Sequence, residues 1–251
     1  MASSLFWKPL PVATLTVRQF LGGKAVRVVA LLAFLPFVFG LIYLLNTEVA
    51  TQREFLAEVI FSEMVAPTLL PITVLILATA ALGNEIEDRT LPYLALKPLS
   101  RARIVIEKLL GILVVAGPIV LAGLAATYAV VMRGDAGEQV EVLTAMLAAA
   151  AVGTLAYSAV FLFVSLIIPR ALLMGIIYTF VWESLLGRFL PGLRVVSVRH
   201  AVDSIFVGML DDPAVTTRNA TAPMTATLVV VAVAVVCVVL ATWRLQRMNL
   251  D

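Results

Sequence analysis

Residues 109–132 read LLGILVVAGPIVLAGLAATYAVVM, without one Asp, Glu, Lys or Arg. About twenty residues wound as a helix rise ~30 Å, the thickness of a bilayer's hydrocarbon core. The stretch has companions. Charge-free runs also extend from Val28 to Thr47, Met64 to Asn84, Val142 to Pro169 and Asn219 to Trp243. A shorter one, Ala171 to Gly187, is broken only by Glu183. Buried helices of a water-soluble core carry apolar runs of only about 10–14 residues, with polar faces between them. These runs therefore predict membrane spans. Composition agrees: 62% of 251 residues are apolar and 14% charged, against roughly 25% charged in a typical soluble domain.

The predicted fold is an all-α integral membrane protein, a single transmembrane domain over residues 1–251. Six transmembrane helices are expected, at about 26–46, 64–84, 109–132, 142–168, 171–187 and 223–243. Both termini then lie on one side, and basic residues choose the side. With the termini inside, Lys8, Arg18, Lys24 and Arg27 precede the first span, and Arg89, Lys97, Arg101, Arg103 and Lys108 join the second to the third. Arg170, Arg244 and Arg247 complete the inner set. The first outer loop holds Glu48, Glu54, Glu58 and Glu63 against Arg53 alone. The termini are thus expected in the cytoplasm, with no cleavable signal peptide ahead of them.

Two shorter segments complete the plan. Pro11 to Lys24 mixes Val12, Leu15, Phe20 and Leu21 with Arg18 and Gln19, the pattern of an interfacial helix lying in the membrane plane. Gly22 and Gly23 mark the bend into the first span. Between the fifth and sixth spans, Phe189–Leu193 and Ile205–Leu210 are apolar but too short to cross. That segment is expected to hold re-entrant helices or an ordinary loop over the outer mouth. No hydrophilic stretch is long enough to fold alone, and a net charge of +2 does not suggest nucleic acid as a partner. Membrane lipid is the expected surrounding.

The most informative hydrophilic piece runs from Gly83 to Arg103, GNEIEDRTLPYLALKPLSRAR. Acids open it and cations close it. Pro98 fixes a turn, and Ser100 can cap a helix leading into the third span. Leu91, Tyr93, Leu94 and Leu99 give it an apolar side, which a mere connection does not need.

In this loop the chain resembles the permease subunits of type-2 ABC exporters. Their loop after the second span reads acid-x-acid-x-x-Thr-Leu, then Pro-hydrophobic-Ser-Arg and a Lys before the third. Glu85, Glu87, Thr90, Leu91, Pro98, Leu99, Ser100, Arg101 and Lys108 fall on that pattern, while Arg89 stands where the family commonly has glycine. The resemblance extends to the six-span plan, the in-plane N-terminal helix, and a fifth span ending near an acid followed by Leu190-Pro191-Gly192-Leu193. It implies a cytoplasmic coupling hairpin seated in a groove of an ATPase subunit, with Glu85, Glu87, Arg89, Thr90, Leu91, Tyr93, Pro98 and Arg101 at the interface. It further implies two cytoplasmic ABC ATPase subunits per complex, a second copy of this permease or a paralogue, and the plasma membrane of a prokaryote. The alternative for the loop is a solvated charged turn, its acids paired to Arg89, Lys97 or Arg101.

The chain carries no nucleotide chemistry of its own. A phosphate-binding loop needs Gly-x-x-x-x-Gly-Lys-Ser/Thr, and the nearest fragment, Leu21-Gly22-Gly23-Lys24-Ala25, lacks the first glycine and the hydroxyl. It is therefore expected not to be an enzyme by itself, with ATP and Mg held by the partner ATPase and no cofactor or metal of its own. His200 and Asp203 are at helical spacing but have no further ligands. Glu183, the ionisable residue expected within a span, is a candidate for an outer gate together with Tyr178. Its structural alternatives are pairing with Arg188 or Arg194, or reaching to the interface. Small residues from Ala148 to Ala156 read as helix packing, Cys237 as a packing residue, and Pro67, Pro71 and Pro118 as bends. An apolar path between two copies favours a hydrophobic or amphipathic substrate. Other readings are a mechanical transmitter acting on another partner, or a secondary transporter or channel; one intramembrane acid is a poor supply for ion coupling.

Overall fold

The structure, a computed structural model, describes residues 10–45, 51–83, 99–133, 139–168, 171–179, 197–210 and 221–248. Among them the ordered elements are all helices. Helix α1, Pro11–Gly22, is followed by α2, Lys24–Ala33, and α3, Leu35–Tyr43. Gly23 between α1 and α2 is extended (φ −91°, ψ 169°), so the glycine pair does mark the bend. Pro36 lies in the first turn of α3, where its missing N–H costs nothing, and the small irregularity at Phe34 separates α3 from α2. Together, Lys24–Tyr43 forms one apolar helix of 20 residues.

Helix α4, Gln52–Gly83, runs 32 residues and begins well before the charge-free run that starts at Met64. Its start is written in the sequence Thr51-Gln52-Arg53-Glu54, a capping box. The Thr51 hydroxyl accepts from the Glu54 amide (3.3 Å), and the Glu54 carboxylate accepts from the Thr51 amide (3.0 Å). Glu54, Glu58 and Glu63, expected in a loop, thus lie on the helix. From Phe55 to Leu69 the winding is π-helical, and Pro67 lies within that stretch. The winding is α-helical from Leu70 to Ala78 and π-helical again over Thr79–Gly83.

Helix α5, Arg101–Val131, starts as expected at Ser100, whose hydroxyl accepts from the Arg103 amide (3.3 Å). It continues through Pro118. Helix α6, Val140–Ile167, and α7, Ala171–Ile177, follow; then come α8, Val198–Leu210, and α9, Pro223–Arg247. Among the described residues, five helices are long and apolar enough to cross a membrane: α2–α3, α4, α5, α6 and α9. For the expected fifth span, only its first part, α7 and the two residues after it, is described.

Burial ranks these spans. In their most apolar stretches, 78% of α4 residues and 67% of α6 residues are buried, against 22% in α2–α3 and in α9. Helices α4 and α6 therefore form the core, and the others present broad faces outward. The small residues of α6 serve this packing: Gly153 lies between Leu70 of α4 and Val202 of α8. Helix α8 is too short to cross, about 20 Å at 13 residues. It contains the apolar stretch 205–210 and docks on α6 and α9, with Phe206 against Phe61 of α4 (ring centroids 4.2 Å). The other expected re-entrant stretch, Phe189–Leu193, lies outside the described residues.

Candidate functional site

Helix α1 opens without a cap of its own, because Leu10 has no side-chain acceptor. Pro11 lacks an N–H, and the Thr14 amide already donates to the Leu10 carbonyl (3.1 Å). That leaves the amides of Val12 and Ala13 to be satisfied. Both donate to one atom, Oε2 of Glu107 on α5, at 2.6 and 3.1 Å. The other carboxylate oxygen, Oε1, accepts from Nε of Arg103 one turn earlier, at 2.6 Å. Glu107 is 1% exposed. A buried carboxylate is tolerated here because three donors and the positive end of a helix surround it.

The next residue does the converse. Lys108 is fully buried, and its Nζ donates to the carbonyl oxygen of Ala81 (2.8 Å), in the last turn of α4. Terminal carbonyls of a helix lack partners within it and carry its negative end, so a cation there is favourable. One turn of α5 thus holds the N-terminus of α1 through Glu107 and the C-terminal end of α4 through Lys108. Close approach continues one turn further on. A Cβ at Gly111 would meet the Thr16 side chain of α1 at 2.9 Å, so glycine lets α1 lie flat against α5.

The loop between Gly83 and Leu99 springs from this junction. Glu85, Glu87, Arg89, Thr90, Leu91, Tyr93 and Pro98 lie outside the described residues. Arg101 opens α5, and its Nη1 is buried with no hydrogen-bond partner among the described residues. At the other candidate site, Tyr178 stands edge-on to Phe161 of α6 (5.9 Å), which stacks on Tyr157 (5.7 Å). Its expected neighbour Glu183 lies outside the described residues. His200 sits in the first turn of α8, its amide donating to Ser197, and Asp203 faces Arg199 (3.8 Å). Among the described residues no group of His, Cys, Asp or Glu could hold a metal ion.

Of the interfacial helix, Val12, Thr16 and Phe20 turn towards the protein, while Leu15 and Leu21 are exposed. At the far end of the chain, Arg247 lies over the ring of Trp243 (3.9 Å), both in the last turns of α9. An aromatic ring with a cation at a helix end is the usual furnishing of a membrane–water boundary.

Glu107 was not among the expected site residues. Two signals pointed to it: an uncapped first helix in need of an acceptor, and the four-residue spacing from Arg103. Lys108 matched the loop pattern, although its bond to α4 could not be read from the sequence.

Five long apolar helices, a short docked helix and a polar junction at one end define a multi-pass α-helical membrane protein. The family described as ABC-2 family transporter protein matches residues 23–185, and the chain belongs to that family. It is accordingly the membrane component of an ABC transporter, a kind of protein that works with an ABC ATPase subunit. Among curated proteins no match was found.

Proposed function

We propose that this chain is the permease subunit of an ATP-driven exporter, driven through the loop at 85–108 by two separate ATPase subunits that bind ATP and Mg. Two copies, or one copy and a paralogue, enclose the path in the plasma membrane of a prokaryote, with both termini cytoplasmic. The substrate is hydrophobic or amphipathic. The observation that carries this reading is the pair Glu107 and Lys108. A hairpin pushed by an ATPase is useful only if its ends move with the helices they join. Lys108 fastens α5 to the last turn of α4, and Glu107 fastens α5 to α1. A displacement of the loop would therefore move α1, α4 and α5 together as a rigid body.

In this reading Glu85 and Glu87 pair with basic residues of the ATPase, while Tyr93 and the leucines fill its groove. The test is the double charge reversal Glu85→Lys with Glu87→Lys in a strain expressing the ATPase. Loss of ATPase co-purification and of transport, with the permease still inserted, is the expected result. Survival of both would sink the coupling assignment.

A further inference from the structure

The face between α3 and α4 carries an open groove of about 380 Å³, within the range of small-molecule sites. Leu35 and Phe39 of α3 form one wall; Val59, Met64 and Leu69 of α4 form the other. Polar groups are few: the Thr68 side chain and the carboxylate of Glu63. Beyond it, Tyr43 stacks on Phe55 (4.2 Å) and holds the two helices together. The smaller void nearby, lined by Ala33, Pro36, Val65 and Thr73 among others, has only about 10 Å³, barely room for one water.

The winding of α4 sets where its acids point. In an α-helix at 3.6 residues per turn, positions nine apart fall on opposite sides. The wider π-helical turn keeps Glu54, Glu58 and Glu63 on one side, and all three are exposed. Among the described residues Glu63 has no ion-pair partner, and no Lys or Arg lines the groove. Along α4, Glu63 is about 20 residues from Gly83, ~30 Å at α-helical rise and less where the turns are π-helical, a length no greater than a hydrocarbon core is thick.

An exposed carboxylate between apolar walls on a spanning helix is costly, and such groups mark a partner or a path. An anionic headgroup would be repelled. A second copy meeting this face about a two-fold axis would set acid against acid. The occupant that answers both the apolar walls and the single negative charge is an apolar molecule bearing one positive charge. We propose that this groove is a binding site for lipophilic cations, with Glu63 as the residue that selects their charge. The assignment rests on the exporter reading and narrows its substrate class.

The test uses the full chain, co-expressed with its ATPase and placed in phosphatidylcholine nanodiscs. Saturable binding of radiolabelled tetraphenylphosphonium is compared with that of tetraphenylborate, which has the same shape and the opposite charge. The wild type should bind the cation, and Glu63→Gln should weaken it at least ten-fold without weakening the anion. Equal cation binding by wild type and Glu63→Gln overturns the proposal. So does high-yield disulfide formation between copies at Val59→Cys in a Cys237→Ala background, which gives the groove to a second copy. Phosphatidylethanolamine retained by the wild type, absent from Glu63→Gln and undisplaced by the cation gives it to a lipid, and also overturns the proposal. ATPase capture is scored in the same samples. Intact capture without cation binding sinks this inference alone; absent capture sinks the exporter reading.

Discussion

The two ends of α4 treat charge in opposite ways. At its last turn the Ala81 carbonyl receives a fully buried lysine, and the glutamate beside that lysine is shut away with three donors around it. In its first half Glu58 and Glu63 stand exposed on an apolar helix, with no cation among the residues of the adjoining groove. The first arrangement is complete within the chain, since each charge answers the free backbone end of another helix. The second is incomplete among the described residues and suits something from outside. Charges of the first kind hold helices together. Those of the second kind select what comes to the surface.

Substitutions can break this contrast, and the largest effect is expected at Glu107. Glu107→Ala leaves two helix-end amides without this acceptor and removes one partner of Arg103. It should cost about 3 kcal/mol, towards the lower end for a broken buried pair because Arg103 is partly in solvent. A fall in the thermal unfolding midpoint in detergent checks it, and Glu107→Gln, which keeps an acceptor, should lose only about 1 kcal/mol. Lys108→Met comes next. It strands the Ala81 carbonyl at about 1.5 kcal/mol, and trypsin should then cut the 84–98 loop faster. Thr51→Ala, at the other end of α4, removes one half of a capping box and should cost about 1 kcal/mol, read from the same melting curve. Glu63→Gln should leave the melting curve within about 0.5 kcal/mol of wild type, as an exposed site with no ion pair among the described residues does. An unfolding midpoint as low as that of Glu107→Ala would place Glu63 among the structural charges and erase the contrast.

Much of the architecture was legible because a membrane span advertises itself by length. The runs at 109–132, 142–169 and 219–243 each share most of their length with a long helix, Arg101–Val131, Val140–Ile167 and Pro223–Arg247. Ends were harder, since a charge-free run stops at the first charge and a helix does not. Helix α5 continues back through Lys108 and Glu107 to Arg101 because those charges find partners on α4 and α1, which are 27 and 95 residues away in sequence. No local pattern encodes such a distance. Helix α4 begins early for a local reason that was readable, the Thr51–Glu54 capping box. Its π-helical winding was not, and that winding decides which side the acids share. Helix α8 was visible only as the apolar fragment 205–210, because its polar first turn is capped by Ser197 and its apolar face is defined by α6 and α9.

The 95-residue separation between Val12 and Glu107 also has a consequence in time. A ribosome adding roughly 5–20 residues per second delivers residue 107 on the order of 5–20 s after residue 12. Throughout that interval α1 is a segment of 12 residues with no cap of its own, too short to hold a helix unaided in water. Its acceptor arrives only with the third span. Helix α1 therefore settles only after α2, α3 and α4 have been made, and in a nascent chain arrested before α5 proteases should cut residues 11–22 readily.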